Sequence, residues 1–393
     1  MKKVLFIAES PIFGGTDTFI LDFTSELIKN KIAVNILLNK SHKGISFYKS
    51  DAINLEFFTL PPLYELSSKF KIFYKLLILI LYPFFAVFNF LDVLLKIKKL
   101  SPDIIIVVNG GFPGGFLTYI SMLSCGFSGV NTIYTIHNYS NYSKKYIIYN
   151  WIIERITSLF RNIIFTSPSK GCAKNITKTA FLKKKIYYVY NGVRDLNPKR
   201  NLPDFDYDND FNIVWAGRMV ELKSVEIIIS AFKRINKFYN NVNLFLYGFI
   251  EDEDYYNKIQ LIVNKEKNIK LILNEIDKNR IYKDKHLVIL PSSKFESFGL
   301  ILIEGMSLGL PVISSNLESL EEVVNVDKNL KFGYIFDIND INDLTKKIEL
   351  IIKNKEVYKE LCKNARIAYE KHFTIEKMYS AYFKLIGDLG WKI

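Results

Sequence analysis

Residues 291–315 read PSSKFESFGLILIEGMSLGLPVISS, and 286–290 before them read HLVIL. HLVIL has the unbroken apolar character of a strand buried on both faces, and Pro291 to Glu296 reads as a loop. A helix is expected to begin near Ser297 and run to Ser307, and Val312–Ser314 reads as the next strand. Strand, loop, helix and strand in this order form the repeating unit of a parallel α/β sheet. The backbone N–H groups of Ser297, Phe298, Gly299 and Leu300 then open a helix, lacking intrahelical partners and facing outward with the positive end of its dipole. Glu296 precedes that turn, and Glu304 follows it by six to seven residues, about 10 Å along a helix axis. A ligand with phosphates at the helix start would present a neighbouring ribose to Glu304 and a sugar hydroxyl to Glu296. The arrangement points to a nucleotide.

The same alternation extends in both directions. Strands are expected at Val4–Ala8, Val34–Leu38, Ile104–Val108, Thr132–Ile136, Ile163–Thr166 and Ile186–Val189. A second series follows at Ile213–Ala216, Leu244–Tyr247, Lys270–Leu273, Leu287–Leu290, Val312–Ser314 and Tyr334–Phe336. The fold class is α/β with two doubly wound, Rossmann-like domains, a division that 393 residues also favour. The N-terminal domain is expected over 1–194 and the second over 195–373, with Asp195 to Asp210 as linker and a helix from 374 onward. Gly14-Gly15 follows the first strand, where the backbone can approach a phosphate or sugar closely. No Gly-x-Gly-x-x-Gly fingerprint occurs there, which argues against a dinucleotide-dependent dehydrogenase.

Charge is unevenly placed. Residues 1–200 hold 26 Lys/Arg against 11 Asp/Glu, whereas residues 201–393 hold 27 against 29. The N-terminal half therefore seeks an anionic partner. No recognition-helix, RNP or zinc-finger pattern accompanies the charge, so a membrane surface fits better than nucleic acid. The stretch Leu76 to Leu91 supports that reading, because its sixteen residues carry no charge and lie between Lys69, Lys71, Lys75 and Lys96, Lys98, Lys99. It is shorter than the roughly 20 apolar residues of a spanning helix and contains Pro83. A spanning helix, disfavoured on those two grounds, one or two buried helices and an interfacial helix pair are the three readings, with partial membrane docking as the expectation. The apolar run after Met1 ends at Glu9, so MKKVLFIAES reads as a buried strand rather than a signal peptide. Cys125, Cys172 and Cys362 have no paired spacing, which excludes a disulfide framework and fits a reducing cytoplasm. Asp204-Phe205-Asp206-Tyr207-Asp208 lacks the glycine and terminal glutamate of a calcium loop, and no metal site is expected.

The chemistry is carried by cations after the strand that ends IVWAG. Arg218 follows it directly, and Lys223 stands five residues later at the mouth of the next helix, so both can converge on one diphosphate. Breaking a sugar–phosphate bond builds negative charge on the leaving diphosphate, and fixed positive groups there are the main requirement. Glu-x7-Glu followed by Gly309-Leu310-Pro311-Val312-Ile313 resembles the signature of family 4 glycosyltransferases, which are retaining enzymes of GT-B fold. Gly14-Gly15, Thr135-Ile136-His137, Asn191-Gly192-Val193 and Gly217-Arg218 with Lys223 occur in the family's order, so the resemblance covers nearly the whole chain. It departs at Ser224, where the family has glycine.

The resemblance implies two domains facing a cleft, with the C-terminal helix bracing the first. It implies that Arg218 and Lys223 bind the donor's diphosphate, that Glu296 contacts the donor sugar together with Gly14, Gly15 and His137, and that Glu304 holds the ribose. The base is expected near Asn274 and Ile276. No cofactor or essential metal is implied, because basic side chains and a helix terminus take the metal's place. The expected partners are a nucleoside-diphosphate sugar, a glycan or lipid-linked glycan acceptor and an anionic membrane surface, but no nucleic acid. The expected location is cytoplasmic, peripheral on the inner face of the cell membrane. Two other readings keep the same residues: a nucleotide-sugar epimerase of GT-B type, which the Lys-flanked apolar run disfavours, and a non-catalytic nucleotide-binding or membrane-scaffold protein, which the intact set of four charged residues disfavours.

Overall fold

A computed structural model describes residues 2–10, 13–62, 72–204 and 209–391, with side chains from residue 80 onward in the helix that begins at Ile72. The chain divides into two compact units, Met1–Tyr190 with Met378–Ile393, and Asn191–Lys377. The first crossing thus falls four residues before the expected boundary at 194, and the second four residues after 373. Asp206 and Asp208 of the acidic cluster lie outside the described residues.

The first unit is a seven-stranded sheet in the order β3-β2-β1-β4-β5-β6-β7, with every pairing parallel. Its strands are β1 (Lys3–Ala8), β2 (Ala33–Leu38), β3 (Ile53–Phe57), β4 (Ile104–Asn109), β5 (Thr132–Ile136), β6 (Ile163–Ser167) and β7 (Ile186–Tyr188). Among the described residues five helices, α1 (Gly15–Lys29), α2 (Ile72–Leu100), α3 (Phe116–Ser128), α4 (Ile147–Thr157) and α5 (Lys170–Thr179), connect them. Strands β1, β4, β5 and β6 are almost wholly buried, as their continuous Ile/Val/Leu runs require. Strand β3 escaped the sequence reading because it is an edge strand: Asn54 and Glu56 alternate with its apolar residues and none of its five residues is fully buried. The run around Leu76–Leu91 belongs to one continuous helix that passes through Pro83.

The second unit is a six-stranded parallel sheet in the order β10-β9-β8-β11-β12-β13. The strands are β8 (Phe211–Met219), β9 (Val242–Ile250), β10 (Ile269–Leu273), β11 (Leu287–Leu290), β12 (Val312–Ser315) and β13 (Gly333–Phe336). The helices are α6 (Val225–Ile235), α7 (Glu253–Val263), α8 (Lys278–Tyr282), α9 (Leu300–Ser307), α10 (Glu318–Val324), α11 (Ile341–Ile352) and α12 (Lys355–His372). Trp215, Ile228, Phe232, Leu246 and Tyr358 are among its fully buried core residues. The stretch expected to be a linker is tied into this unit, because Arg366 donates to both oxygens of Asp195 at 2.6 Å. A last helix, α13 (Ile375–Asp388), places Tyr382 against Phe19 and Phe23 of α1 in the first unit.

In each sheet the strand order reverses once, between β1 and β4 and between β8 and β11. Ligands of open parallel sheets bind outside the carboxyl ends of the strands at such a point.

Candidate active site

The switch point of the second unit is closed by contacts between the loop after β8 and the loop after β11. Lys223 ends a short 3-10 turn (Glu221–Lys223), and its ammonium is bonded to the Glu296 carboxylate. Both side chains are largely buried, 15% and 12% exposed. Glu296 also accepts from Ser292 Oγ at 3.1 Å, and its carbonyl accepts from Ser319 Oγ. Beside this pair the Ser293 amide donates to the Leu222 carbonyl at 3.0 Å, and Ser224 Oγ donates to Ser293 Oγ at 2.7 Å. Residues that the sequence separates by about seventy positions are thereby held as one constellation.

The departure at Ser224 has a structural reading. Its φ of +48° lies in the left-handed region, where glycine is free of strain. Its hydroxyl bond to Ser293 offsets that strain and joins the two loops.

The helix of the Glu-x7-Glu element begins at Leu300, not near Ser297, and its cap, Gly299, has φ +85°. A β-carbon at Gly299 would also lie 2.7 Å from Leu320. Ser297 and Phe298 therefore belong to the loop, with Phe298 buried against Phe373, and the helix dipole starts three residues later than expected. Glu304 now lies four residues from Leu300, one turn and about 6 Å along the axis. It is 4% exposed and already has donors: Tyr282 gives its hydroxyl at 2.6 Å and Lys278 its ammonium at 3.0 Å. Burial, with the Glu304 carboxylate beside it, holds the Tyr282 phenol well above its ordinary range, so it remains a donor.

Arg218 is exposed at the end of β8, and one of its terminal nitrogens donates to both oxygens of Glu251 at 2.7–2.8 Å. Each proposed phosphate cation is thus paired with a different carboxylate. Glu251, Lys278 and Tyr282 were absent from the sequence reading. Glu251 was within reach, since β9 is the next strand and Met219 pairs with Ile250. Asn274 and Ile276 follow the edge strand β10. Asn274 has φ +59° and donates its amide to the Gly248 carbonyl at 2.9 Å, and Ile276 is exposed.

Gly14, Gly15 and His137 belong to the first unit. Gly14 caps α1 in an extended conformation open to any residue, and a β-carbon there would meet nothing within 4 Å. Among the described residues, neither backbone nor packing demands glycine there. Asp17 accepts the Gly14 amide at 2.8 Å and so fixes the turn. His137 follows β5, donates its amide to the Asn109 carbonyl at 2.8 Å and packs its ring 4.5 Å from that of Phe19 on α1. Burial pushes its imidazole down to about 3. Among the described residues no group of three or more His, Cys, Asp or Glu stands at ligand spacing.

Two family profiles tile this chain in the order of its two units. Glycosyltransferase Family 4 matches residues 13–195, and Glycosyl transferases group 1 matches residues 204–368. The chain belongs to glycosyltransferase family 4. An uncharacterised glycosyltransferase of Methanocaldococcus jannaschii is 29% identical to this family 4 chain over 213 residues, 53% of the chain and 55% of the relative. The capsular polysaccharide biosynthesis glycosyltransferase CapM of Staphylococcus aureus is 27% identical over 186 residues, 45% of the chain and 48% of CapM. The matches therefore span about half the length of these two relatives. The crystal structure of Anabaena HepE in complex with UDP-glucose superposes with a TM-score of 0.73 at 15% identity, covering 99% of the family 4 chain and all of HepE. The fold is GT-B.

Proposed function

We propose that the protein is a retaining glycosyltransferase that moves a hexose or N-acetylhexosamine from a nucleoside-diphosphate sugar to a lipid-linked glycan in surface polysaccharide biosynthesis. The observation that carries this reading is the Lys223–Glu296 pair at the β8/β11 switch point, beside the Gly299–Leu300 start of α9. The donor's diphosphate would take Lys223 from Glu296 and Arg218 from Glu251, and the amides at the start of α9 would complete the anion seat. Glu296, released from the ammonium, would accept from a sugar hydroxyl. Glu304 would keep Tyr282 and offer its remaining lone pairs to the ribose, with the base lying over Asn274 and Ile276. Retention follows the family resemblance, through a same-face displacement assisted by the leaving phosphate. The UDP-glucose named with HepE and the capsular role named for CapM support this donor class and this kind of acceptor.

We place the enzyme in the cytoplasm, peripheral on the inner face of the membrane, and we propose that no metal is needed, because Arg218, Lys223 and the helix terminus would supply the positive charge on the diphosphate. Thermal stabilisation by a panel of nucleotide sugars, followed by transfer to membrane-extracted acceptor with and without EDTA, tests the reading. Stabilisation by one donor and EDTA-resistant transfer are expected. No stabilisation by any nucleotide sugar would refute it.

A further inference from the structure

The first unit leaves one large apolar surface open to solvent, on α2 and α4. Along α2, Ile80, Phe84, Val87, Phe88, Leu91 and Leu95 are 49–71% exposed, and their spacing of one, three and four residues sets them on a single stripe. The opposite stripe, Tyr82, Asn89, Val93 and Ile97, is buried. It is fastened to α3, because Asn89 Nδ2 donates to the Leu117 carbonyl at 3.0 Å and Ser124 Oγ to the Phe90 carbonyl at 2.9 Å. Ile80–Leu100 is long and apolar enough to cross a membrane. A helix fastened along one side instead lies on its domain and offers the other side.

Helix α4 repeats the pattern. Ile148, Trp151, Ile152 and Ile156, with Leu159 just beyond the helix, are 37–78% exposed at helical spacing. Two aromatic bridges join α2 to the α4 region. Tyr82 stacks on Tyr146 and Tyr149 with ring centroids 5.0 and 4.9 Å apart. At the other end Phe127, 62% exposed, stands between Phe90 and Phe160 at 5.5 and 5.0 Å. Twelve of the 22 exposed large hydrophobic residues among those described lie on this face, which makes it a patch rather than the usual scatter.

The charges around the patch select its occupant. Residues 104–194 contain eleven Lys/Arg and a single acid, Glu154. Glu154 is fully buried and accepts from Tyr119 and Tyr142 at 2.7–2.8 Å, so the one acid of this stretch does not reach the surface. Lys144 and Lys145 precede α4, Arg155 lies within its stripe over Trp151, and Arg161 follows. Of the three lysines ending α2, Lys96 is paired with Asp92 and Lys99 with Glu56, so the cations beside α4 matter more than the sequence reading allowed. A second copy of the chain would set these cations against each other.

We propose that α2 and α4 together form a docking face for an anionic bilayer, with both helices lying in the interface, their apolar stripes at the acyl boundary and the cations of α4 on the headgroups. This deepens the peripheral location proposed above and rests on it, while its test reads vesicle binding separately from sugar transfer. The full chain would be sedimented with vesicles of phosphatidylglycerol plus phosphatidylcholine and with phosphatidylcholine alone. Preference for the anionic vesicles is expected. Ile148→Ser/Trp151→Ser/Leu159→Ser and Phe84→Ser/Phe88→Ser should each lower partitioning by about tenfold or more, and Lys144→Gln and Lys145→Gln by about fivefold each at low salt. All these side chains are at the surface or lie far in sequence from the donor loops, so nucleotide binding should not change in any variant. Equal partitioning of wild type and the α4 variant, indifference to lipid charge, or a wild-type dimer that these substitutions dissociate would overturn the proposal. Vesicle binding without sugar transfer would leave it standing and remove the catalytic reading instead.

Discussion

Glu296→Gln should separate binding from transfer. Lys223 is paired with Glu296 in a site where both are largely buried, so a diphosphate would have to displace that carboxylate before it can use the lysine. A hydrogen bond to a charged group contributes about 1.5–3 kcal/mol. Releasing even the lower end of that range, about 1.5 kcal/mol, tightens binding by a little more than tenfold. The glutamine still accepts from Ser292 Oγ but no longer holds the ammonium or repels phosphate. Calorimetry with the free nucleoside diphosphate should therefore show about tenfold tighter binding for Glu296→Gln and 10- to 150-fold weaker binding for Lys223→Ala. Sugar transfer should fall in both variants, because the glutamine is a poorer acceptor for the sugar hydroxyl. Weaker diphosphate binding by Glu296→Gln than by wild type would refute the competition.

Arg218→Ala should lower turnover by roughly 10² to 10³, the usual cost of removing one preorganised donor to developing charge, with little change in thermal stability because its pair with Glu251 is exposed; wild-type turnover would remove Arg218 from the diphosphate site. Glu304→Gln should weaken nucleotide binding by about 1–3 kcal/mol, whereas Tyr282→Phe, which removes only the internal donor, should chiefly lower stability; equal nucleotide affinity in wild type and Glu304→Gln would make Glu304 structural. Gly14→Val should fold as wild type, since its β-carbon meets open space, and lose transfer; full activity in a folded Gly14→Val protein would mean that nothing approaches that backbone. Because the folded-state pKa of His137 is depressed to about 3 from an ordinary 6.5, its contribution to stability is present above pH 6.5 and lost as pH falls toward 3. By linkage this costs about 1.4 kcal/mol per pH unit, or about 2 kcal/mol by pH 5, and urea midpoints between pH 7 and 5 should fall less for His137→Gln than for wild type; parallel pH slopes would contradict a neutral imidazole at this position.

The two sheets were legible because central strands buried on both faces, such as β1, β4, β5, β6 and β11, must be continuously apolar. Strand β3 was not, because an edge strand alternates polar and apolar residues as an exposed segment also does. Glu296, Glu304, Arg218 and Lys223 were legible by residue type and spacing around predicted element ends. Their partners were not. Glu251, Ser292, Ser293, Lys278 and Tyr282 are ordinary surface-type residues until the sheet order sets their loops side by side.

The sequence by itself determined two parallel α/β units, the family and the loops on which Arg218, Lys223 and Glu296 stand, because periodicity and spacing are local properties of the chain. Only the tertiary structure decided that Lys223 is held by Glu296, that Glu304 already has Tyr282 and Lys278, and that α9 starts at Leu300. It also decided which sides of α2 and α4 are left to solvent. Each of these depends on which neighbour fills a hydrogen-bonding valence or covers an apolar stripe, and neighbours tens of residues away are chosen by strand order and packing.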